Sequence, residues 1–227
     1  MKAKIDIFTP KSIKNGAKND DFRVFVNETA DQIEIMLYGT IGDAYDQADA
    51  ATVTRMLSAN KNKPVTMRVN SFGGLAFDGL AIYNALADHS GPTVGIIESV
   101  AASAASLAVL GADRVQMQAN AVYHIHEGIA GNIGHIADLQ ETIDWLKAFN
   151  AAAVATYAAK TGKSVEVMAA ALLGANGDGT RYTAEEALAF GFVDEVLPMA
   201  KRTKQAARND RSAALALQAK LLRAKTS

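Results

Sequence analysis

The chain has 227 residues, 49% hydrophobic and 21% charged, with a formal net charge of −1; that is enough apolar material for one domain with a real core, and no global charge argues for a nucleic-acid or membrane partner. It has no cysteine, which removes thiol nucleophiles, disulfides and cysteine zinc sites and is compatible with a reducing cytoplasm. The start, Met1 to Phe8, lacks a long apolar stretch of secretory type, and no run of about 18 apolar residues exists to span a bilayer.

Residues 1–31 are polar and mixed and predict a flexible arm or an edge element. Ile33–Leu37 alternates like a half-buried strand, and Gly39–Asp43 reads as a turn. Helical spacing through Ala51, Met56 and Leu57 predicts a helix over 47–60. Val65–Val69 reads as a strand, Asn70–Gly74 as a loop, and Phe77–Asp88 as a helix with Leu80, Tyr83 and Leu86 inward. Val94–Ile97 is a buried strand and Ser103–Leu110 a short helix; Arg114–Met117 and Val122–His126 are further strands. Residues 135–160 carry the longest helical pattern, with Leu139, Ile143, Leu146 and Phe149 on one stripe. Thr183–Glu186 is a capping box that opens a short helix ending at Gly191.

Strands alternating with helices predict an α/β fold with largely parallel strands. Ligand groups then belong beyond the carboxyl ends of the strands, where Asn70–Gly74, Val100–Ser103 and His126 fall. The division is an arm over 1–31, a domain over 32–198 and a tail over 199–227. The tail holds eight Lys/Arg against one acid, Asp210, which leaves about −8 on the rest of the chain. It reads first as a solvated or partly disordered terminus. Its Leu215, Leu217, Leu221 and Leu222 also allow a docking helix.

Ser103 is the leading chemical candidate. It follows an apolar strand, opens a helix whose first amides are unpaired, and is flanked by Ala101, Ala102, Ala104 and Ala105. The plainer reading is a helix cap, and Ser99 and Ser106 compete with it. His126 supplies a general base with a pKa near neutrality. His124 shares its strand face, so the pair also reads as metal ligands with His89 or His135, although no H-E-x-x-H pattern accompanies them. Gly73-Gly74 offers unhindered amides for an oxyanion, or simply a turn. Asp178 is the candidate acid to orient an imidazole, or the closer of an Asx turn; Asp194 and Glu127 are lesser alternatives.

In combination these segments resemble the Clp protease proteolytic subunit (ClpP) family of serine peptidases, and most closely its phage head maturation (prohead) protease branch. The matching stretches are Arg68–Gly74, Phe77–Asn84, Val100–Ala105, Asn120–His126, Tyr182–Ala187 and Gly191–Asp194, in order over about residues 32–197. The resemblance implies a ClpP/crotonase-type spiral of ββα units with a long handle helix from His135. It implies Ser103 as nucleophile, His126 as base, and the amides of Gly73 and Ala104 as oxyanion donors. The substrate peptide would lie as an added strand between Gly74-Leu75-Ala76 and Gly128-Ile129-Ala130. The implied assembly is a homo-oligomer of stacked rings acting on peptides or proteins in the cytoplasm, with no metal or organic cofactor. Phage scaffold or capsid proteins are the implied substrates. No Walker-type loop is present, so any ATPase would be a separate chain.

Three departures stand out. Phe72 replaces the usual proline of Asn-Ser-Pro-Gly-Gly and would line a substrate pocket. Glu127-Gly128 replaces a polar residue and proline after the histidine. An ungapped match puts Gly179 at the acid's position, and a one-residue shift brings in Asp178. Two rival readings remain open: a crotonase-type acyl-CoA enzyme, and a ring-forming structural subunit without turnover.

Overall fold

The computed structural model describes residues 25–28, 31–42 and 49–199. Residues 1–24, 29–30 and 43–48 and the tail beyond Met199, with the docking helix expected there, lie outside the described residues; of the arm, Phe25–Glu28 is an edge strand, one of the two forms expected for it. The chain divides after Leu197, and the elements below all belong to the first unit.

Three long strands form the centre. β2 (Ile33–Ile41), β3 (Val65–Gly74) and β4 (Thr93–Ala102) pair in parallel, with Ile33 opposite Val65 and Val65 opposite Thr93. β1 (Phe25–Glu28) runs antiparallel along β2. β5 (Arg114–Gln118) extends the sheet in parallel from β4, and β8 (Glu195–Leu197) from β5. β6 (Val122–Ile125) leaves this path: it pairs in parallel with the end of β4 and antiparallel with β7 (Thr180–Thr183).

The period-2 pattern sets the inner face. Ile33, Ile35 and Leu37 of β2 and Val65, Met67 and Val69 of β3 are buried. Their neighbours in sequence form a half-buried polar face, where Arg68 bridges Glu34 and Glu98 across three strands and Tyr38 donates to Glu98. Against the inner face pack α1 (Ala50–Ala59), α2 (Ala76–Ala87) and α3 (Ala104–Ala108).

The two sharpest differences from the sequence reading concern strand ends. Neither Gly39–Asp43 nor Asn70–Gly74 is a free turn or loop as expected. A register shift after Tyr38 lets β2 run on to Ile41, where Thr40 meets Gly73 and Ile41 meets Gly74. Each extension supplies the other's partners. The long helix α4 spans Ile136–Thr161 and ends at Gly162, whose φ of 67° is the left-handed conformation that glycine adopts most freely. Of its expected stripe only Phe149 is buried; Leu146 is half-buried, and Leu139 and Ile143 are exposed. The inward face is Thr142, Phe149, Ala153, Val154 and Tyr157. Three elements have no counterpart in the sequence reading: α5 (Val165–Leu173), capped by Ser164, β7 and β8. α6 (Ala184–Phe190) does open on the Thr183–Glu186 capping box and close at Gly191.

Candidate active site

Ser103 is the single residue between β4 and α3. Its φ and ψ are 55° and −128°, and among the described residues no other non-glycine has positive φ. This is the region glycine fills in type II′ turns, and a residue with a Cβ is strained there. The surroundings hold it. The Ser103 N–H donates to the His124 carbonyl at 3.0 Å. The Ser103 carbonyl accepts from the Ser106 N–H at 2.9 Å and the Ser106 hydroxyl at 2.5 Å. Ser106 Oγ is also 2.7 Å from the Tyr157 hydroxyl, and Tyr123 donates to the Ser106 carbonyl at 2.7 Å. So Ser106, weighed as a rival nucleophile, is fully buried and braces the turn. The Ser103 hydroxyl itself has no hydrogen-bond partner among the described residues.

Close packing explains the small residues. A Cβ on Gly79 would fall 2.6 Å from the Ala104 carbonyl oxygen, so α2 and α3 touch backbone to backbone. Gly73 lies on the turn itself: with φ +98°, its Cβ would meet the Ala102 oxygen and Ser103 Cβ at 2.7 Å and the Ala104 nitrogen at 2.9 Å. The two amides expected to hold an oxyanion therefore adjoin each other and Ser103. Ala104 opens α3, where an N–H has no partner within the helix. The Gly73 N–H donates to Ser71 Oγ at 3.0 Å, and Ser71 in turn donates to the Gly39 carbonyl at 2.6 Å.

His126 follows β6 directly. Ala102 pairs with His124, and the Ser103–His124 main-chain bond continues that ladder, so the turn and the histidine strand are fastened together. His126 Nδ1 lies 2.6 Å from the Glu127 carbonyl oxygen. A carbonyl only accepts, so Nδ1 carries a proton, and in the neutral ring the lone pair is then on Nε2, the tautomer a general base needs. Among the described residues no hydrogen bond joins His126 to Ser103 or to a carboxylate.

His124 is half-buried, its ring centroid 5.2 Å from that of His126, and its Nε2 lies 3.0 Å from the Asp178 main-chain oxygen. Burial is the main cause that lowers its pKa. The rival metal set is dispersed: His89 Nε2 contacts the Lys63 carbonyl at 2.9 Å and His135 caps α4. Among the described residues no group of three His, Asp or Glu is placed to hold a metal ion.

The Asp178 carboxylate pairs with Arg181 at 3.0 Å, both side chains more than half exposed, and this hydrogen bond is the main cause that lowers its pKa. Gly179 lies flat on the base, with φ +82°; a Cβ there would fall 2.1 Å from the Ile125 oxygen and 2.5 Å from His126 Cβ. No side chain fits at 179 in this arrangement. Asp194 is committed elsewhere, to the Val115 N–H at 2.7 Å and to Lys160 at 2.8 Å.

Of the segments expected to flank substrate, Gly74 ends β3, Leu75 donates its N–H to Ile41 at 2.8 Å, and Ala76 is buried as the first residue of α2. Gly128, Ile129 and Ala130 have no regular structure, and the Gly128 N–H donates to Asn150 at 2.8 Å. A Cβ on Gly128 would meet the Phe149 ring at 2.8 Å. Phe77 packs edge-on against Phe149 and Trp145, with centroids 5.7 and 5.8 Å apart. Phe72 is 68% exposed. Sequence reasoning missed the bracing by Ser106 and Tyr157, the Glu127 carbonyl and Arg181. Only the last has a sequence signal, an opposite charge three residues from Asp178.

A largely parallel α/β sheet with a strained serine at a strand–helix turn, the Gly73 and Ala104 backbone beside it and a histidine at the end of the adjoining strand is the kind of arrangement that serine hydrolases use. The comparisons with known proteins agree with this class. The Clp protease family profile matches residues 17–200. The chain belongs to the Clp protease family of serine peptidases. It is 27% identical over 170 residues to the ATP-dependent Clp protease proteolytic subunit 3 of Rhodococcus jostii, covering 73% of this chain and 81% of that one. It is 29% identical over 184 residues to the proteolytic subunit 1 of Protochlamydia amoebophila, covering 75% and 87%. A mutant ClpP1 from Listeria monocytogenes shares the fold, with a TM-score of 0.59 at 18% identity over 76% of this chain and 93% of that one. Among the described residues no helix is long and apolar enough to cross a membrane.

Proposed function

We propose that the chain is a serine endopeptidase in which Ser103 is the nucleophile and His126 the general base. Ser103 Oγ attacks a peptide carbonyl while His126 Nε2 takes its proton. The tetrahedral oxyanion is held by the Ala104 N–H and by the Gly73 N–H, which turns to it from Ser71. His126 then gives the proton to the leaving amine, and water repeats the sequence on the acyl-enzyme. At rest the Glu127 carbonyl fixes the tautomer of His126. Asp178 supplies the carboxylate that stabilises the imidazolium once it leaves Arg181, an exposed partner that holds it weakly. No metal or organic cofactor enters the reaction.

The observation that carries this reading is the backbone of Ser103. Strain at the single residue where β4 hands over to α3, with a hydroxyl that has no partner among the described residues, is retained where function requires it. The test is labelling of the full chain by a fluorophosphonate, with the site read by mass spectrometry. Modification at Ser103, lost in Ser103→Ala and His126→Ala, supports the reading. Asp178→Asn should lower turnover by up to about 10⁴-fold if its carboxylate serves the imidazolium. An assembled wild type that does not label supports the structural-subunit reading instead, and saturable binding of CoA esters supports the acyl-CoA reading.

The relatives named as proteolytic subunits of ATP-dependent proteases support a homo-oligomer of stacked rings that serves a separate ATPase. The exposed Ile136, Leu139 and Ile143 of α4 are the apolar surface such stacking would cover. Light scattering of Leu139→Asp should show smaller particles than the wild type. The motif order that resembles the prohead branch supports phage scaffold and capsid proteins as substrates. A chain lacking residues 199–227 that still processes an assembling head would remove any role of the basic tail in reaching them.

A further inference from the structure

Gly179 lies against the backbone of Ile125 and His126 without room for a side chain, so the peptide joining Asp178 to Gly179 runs close to the residue that carries the base. Two hydrogen bonds hold this peptide. The Gly179 N–H donates to the Leu173 carbonyl, the last residue of α5, at 3.2 Å. The Asp178 carbonyl accepts from His124 Nε2 at 3.0 Å. Of the two, only the second reaches β6, and it holds the loop there just ahead of the β6–β7 ladder that starts at Ile125 and Thr180. In the β6–β7 register the residue opposite His124 is Arg181, which holds the Asp178 carboxylate. One aspartate is thus gripped by its main chain from one strand and by its side chain from the other.

Resting on the serine peptidase reading, the geometry points to His124 as a positioning residue: its Nε2–H fastens the Asp178 carbonyl to β6 and so sets where the triad acid stands relative to His126. The acceptor is a carbonyl, so the proton is on Nε2. Burial lowers the pKa of His124, and near pH 7 the ring is neutral in that tautomer. The charged or titratable groups that face it are His126 on its own strand, Arg181 on β7 and Asp178 in the loop. His124 touches no substrate in this scheme and acts only through Asp178. The signal lay in the sequence as a second histidine on one strand face, for which a metal was the alternative.

The experiment compares His124→Phe with His124→Gln in the full chain, with fluorophosphonate labelling of Ser103 separated into kinact and KI. Phe keeps the bulk of the ring and loses the donor; Gln keeps an amide donor for the same carbonyl. A loop displaced by about 1 Å costs up to ~100-fold in a positioned step. His124→Phe should therefore lose about ten- to 100-fold in kinact at unchanged KI, with an unchanged melting temperature, while His124→Gln recovers most of the rate. The pH profile adds a readout that a merely structural role does not move. A carboxylate placed beside an imidazole favours the imidazolium, so the acid limb of kinact in His124→Phe should lie at lower pH than in His124→Gln. Both variants lack the His124 charge, so the difference between them isolates the fastening. Equal rates and equal limbs in the two variants overturn the proposal while Ser103 still labels. A wild type that does not label at Ser103 overturns the peptidase reading and the fastening with it.

Discussion

If Ser103 is strained for the sake of chemistry, removing its Cβ should stabilise the fold while destroying the site. With φ 55° and ψ −128°, Ser103 occupies a region that costs a non-glycine residue about 1–3 kcal/mol. Ser103→Gly relieves that strain. It gives back roughly 0.5–1 kcal/mol because glycine has more freedom to lose on folding. No side-chain hydrogen bond is lost, since the Ser103 hydroxyl makes none among the described residues, and the main-chain bonds to His124 and Ser106 remain available. The net expectation is a gain of about 1 kcal/mol from these two terms, or ~2–4 °C in melting temperature for a domain of this size. Ser103→Ala is the control: it removes the same hydroxyl but keeps the Cβ, so it should melt with the wild type. Both variants should be dead to fluorophosphonate. Melts are compared at one protein concentration, because assembly raises apparent stability. Were Ser103→Gly to melt at or below Ser103→Ala, the strain would not be present and the argument built on it would fall.

Ser106→Ala removes the hydroxyl between the Ser103 carbonyl and the buried Tyr157 hydroxyl; the unsatisfied group costs about 1–3 kcal/mol, and both melting temperature and labelling rate should fall. Arg181→Gln frees the Asp178 carboxylate and should raise the labelling rate. Wild-type labelling should also rise with salt, because an exposed pair is screened; a flat response in both measurements refutes the idea that Arg181 restrains the acid. The Asp178 pKa is lowered by Arg181, so the pair contributes above the unfolded carboxyl pKa and fades as pH falls through the folded value; by NMR that pKa should rise in Arg181→Gln. Burial and Glu98 push Tyr38 up to about 12. The folded state then holds the phenol proton where the unfolded chain has lost it, so stability drops as pH climbs from 10 toward 12. Tyr38→Phe should show a shallower alkaline fall in melting temperature than the wild type.

Local chemistry made much of the fold legible. Ile33, Ile35 and Leu37 alternate as a half-buried strand must, and Thr183 with Glu186 satisfies its own helix start. What escaped depended on partners distant in sequence. Nothing near Gly39 or Gly73 says that each segment will become a strand, because they pair with each other across a register shift, and Ser71 pairs with Ala101 across another. Ile143 and Leu139 keep helical spacing with Phe149, yet α4 packs against α2, α3 and α5 along its later turns, and Leu139 and Ile143 in its first turns stand clear of the core. At the site, the order of residues led to Ser103, His126 and Asp178 as candidates, and the fold sets the first two at neighbouring strand ends. The order did not reveal which way the Asp178 carboxylate points, which is decided by the β6–β7 register that brings Arg181 beside it. Gly179 makes the dependence physical. A side chain at 179 would collide with Ile125 and His126, so the loop can lie on the base only with glycine there, and the carboxylate must come from a neighbouring residue. In the proposed mechanism Asp178 meets that need by swinging its side chain, and the pair with Arg181 is the resting end of the swing.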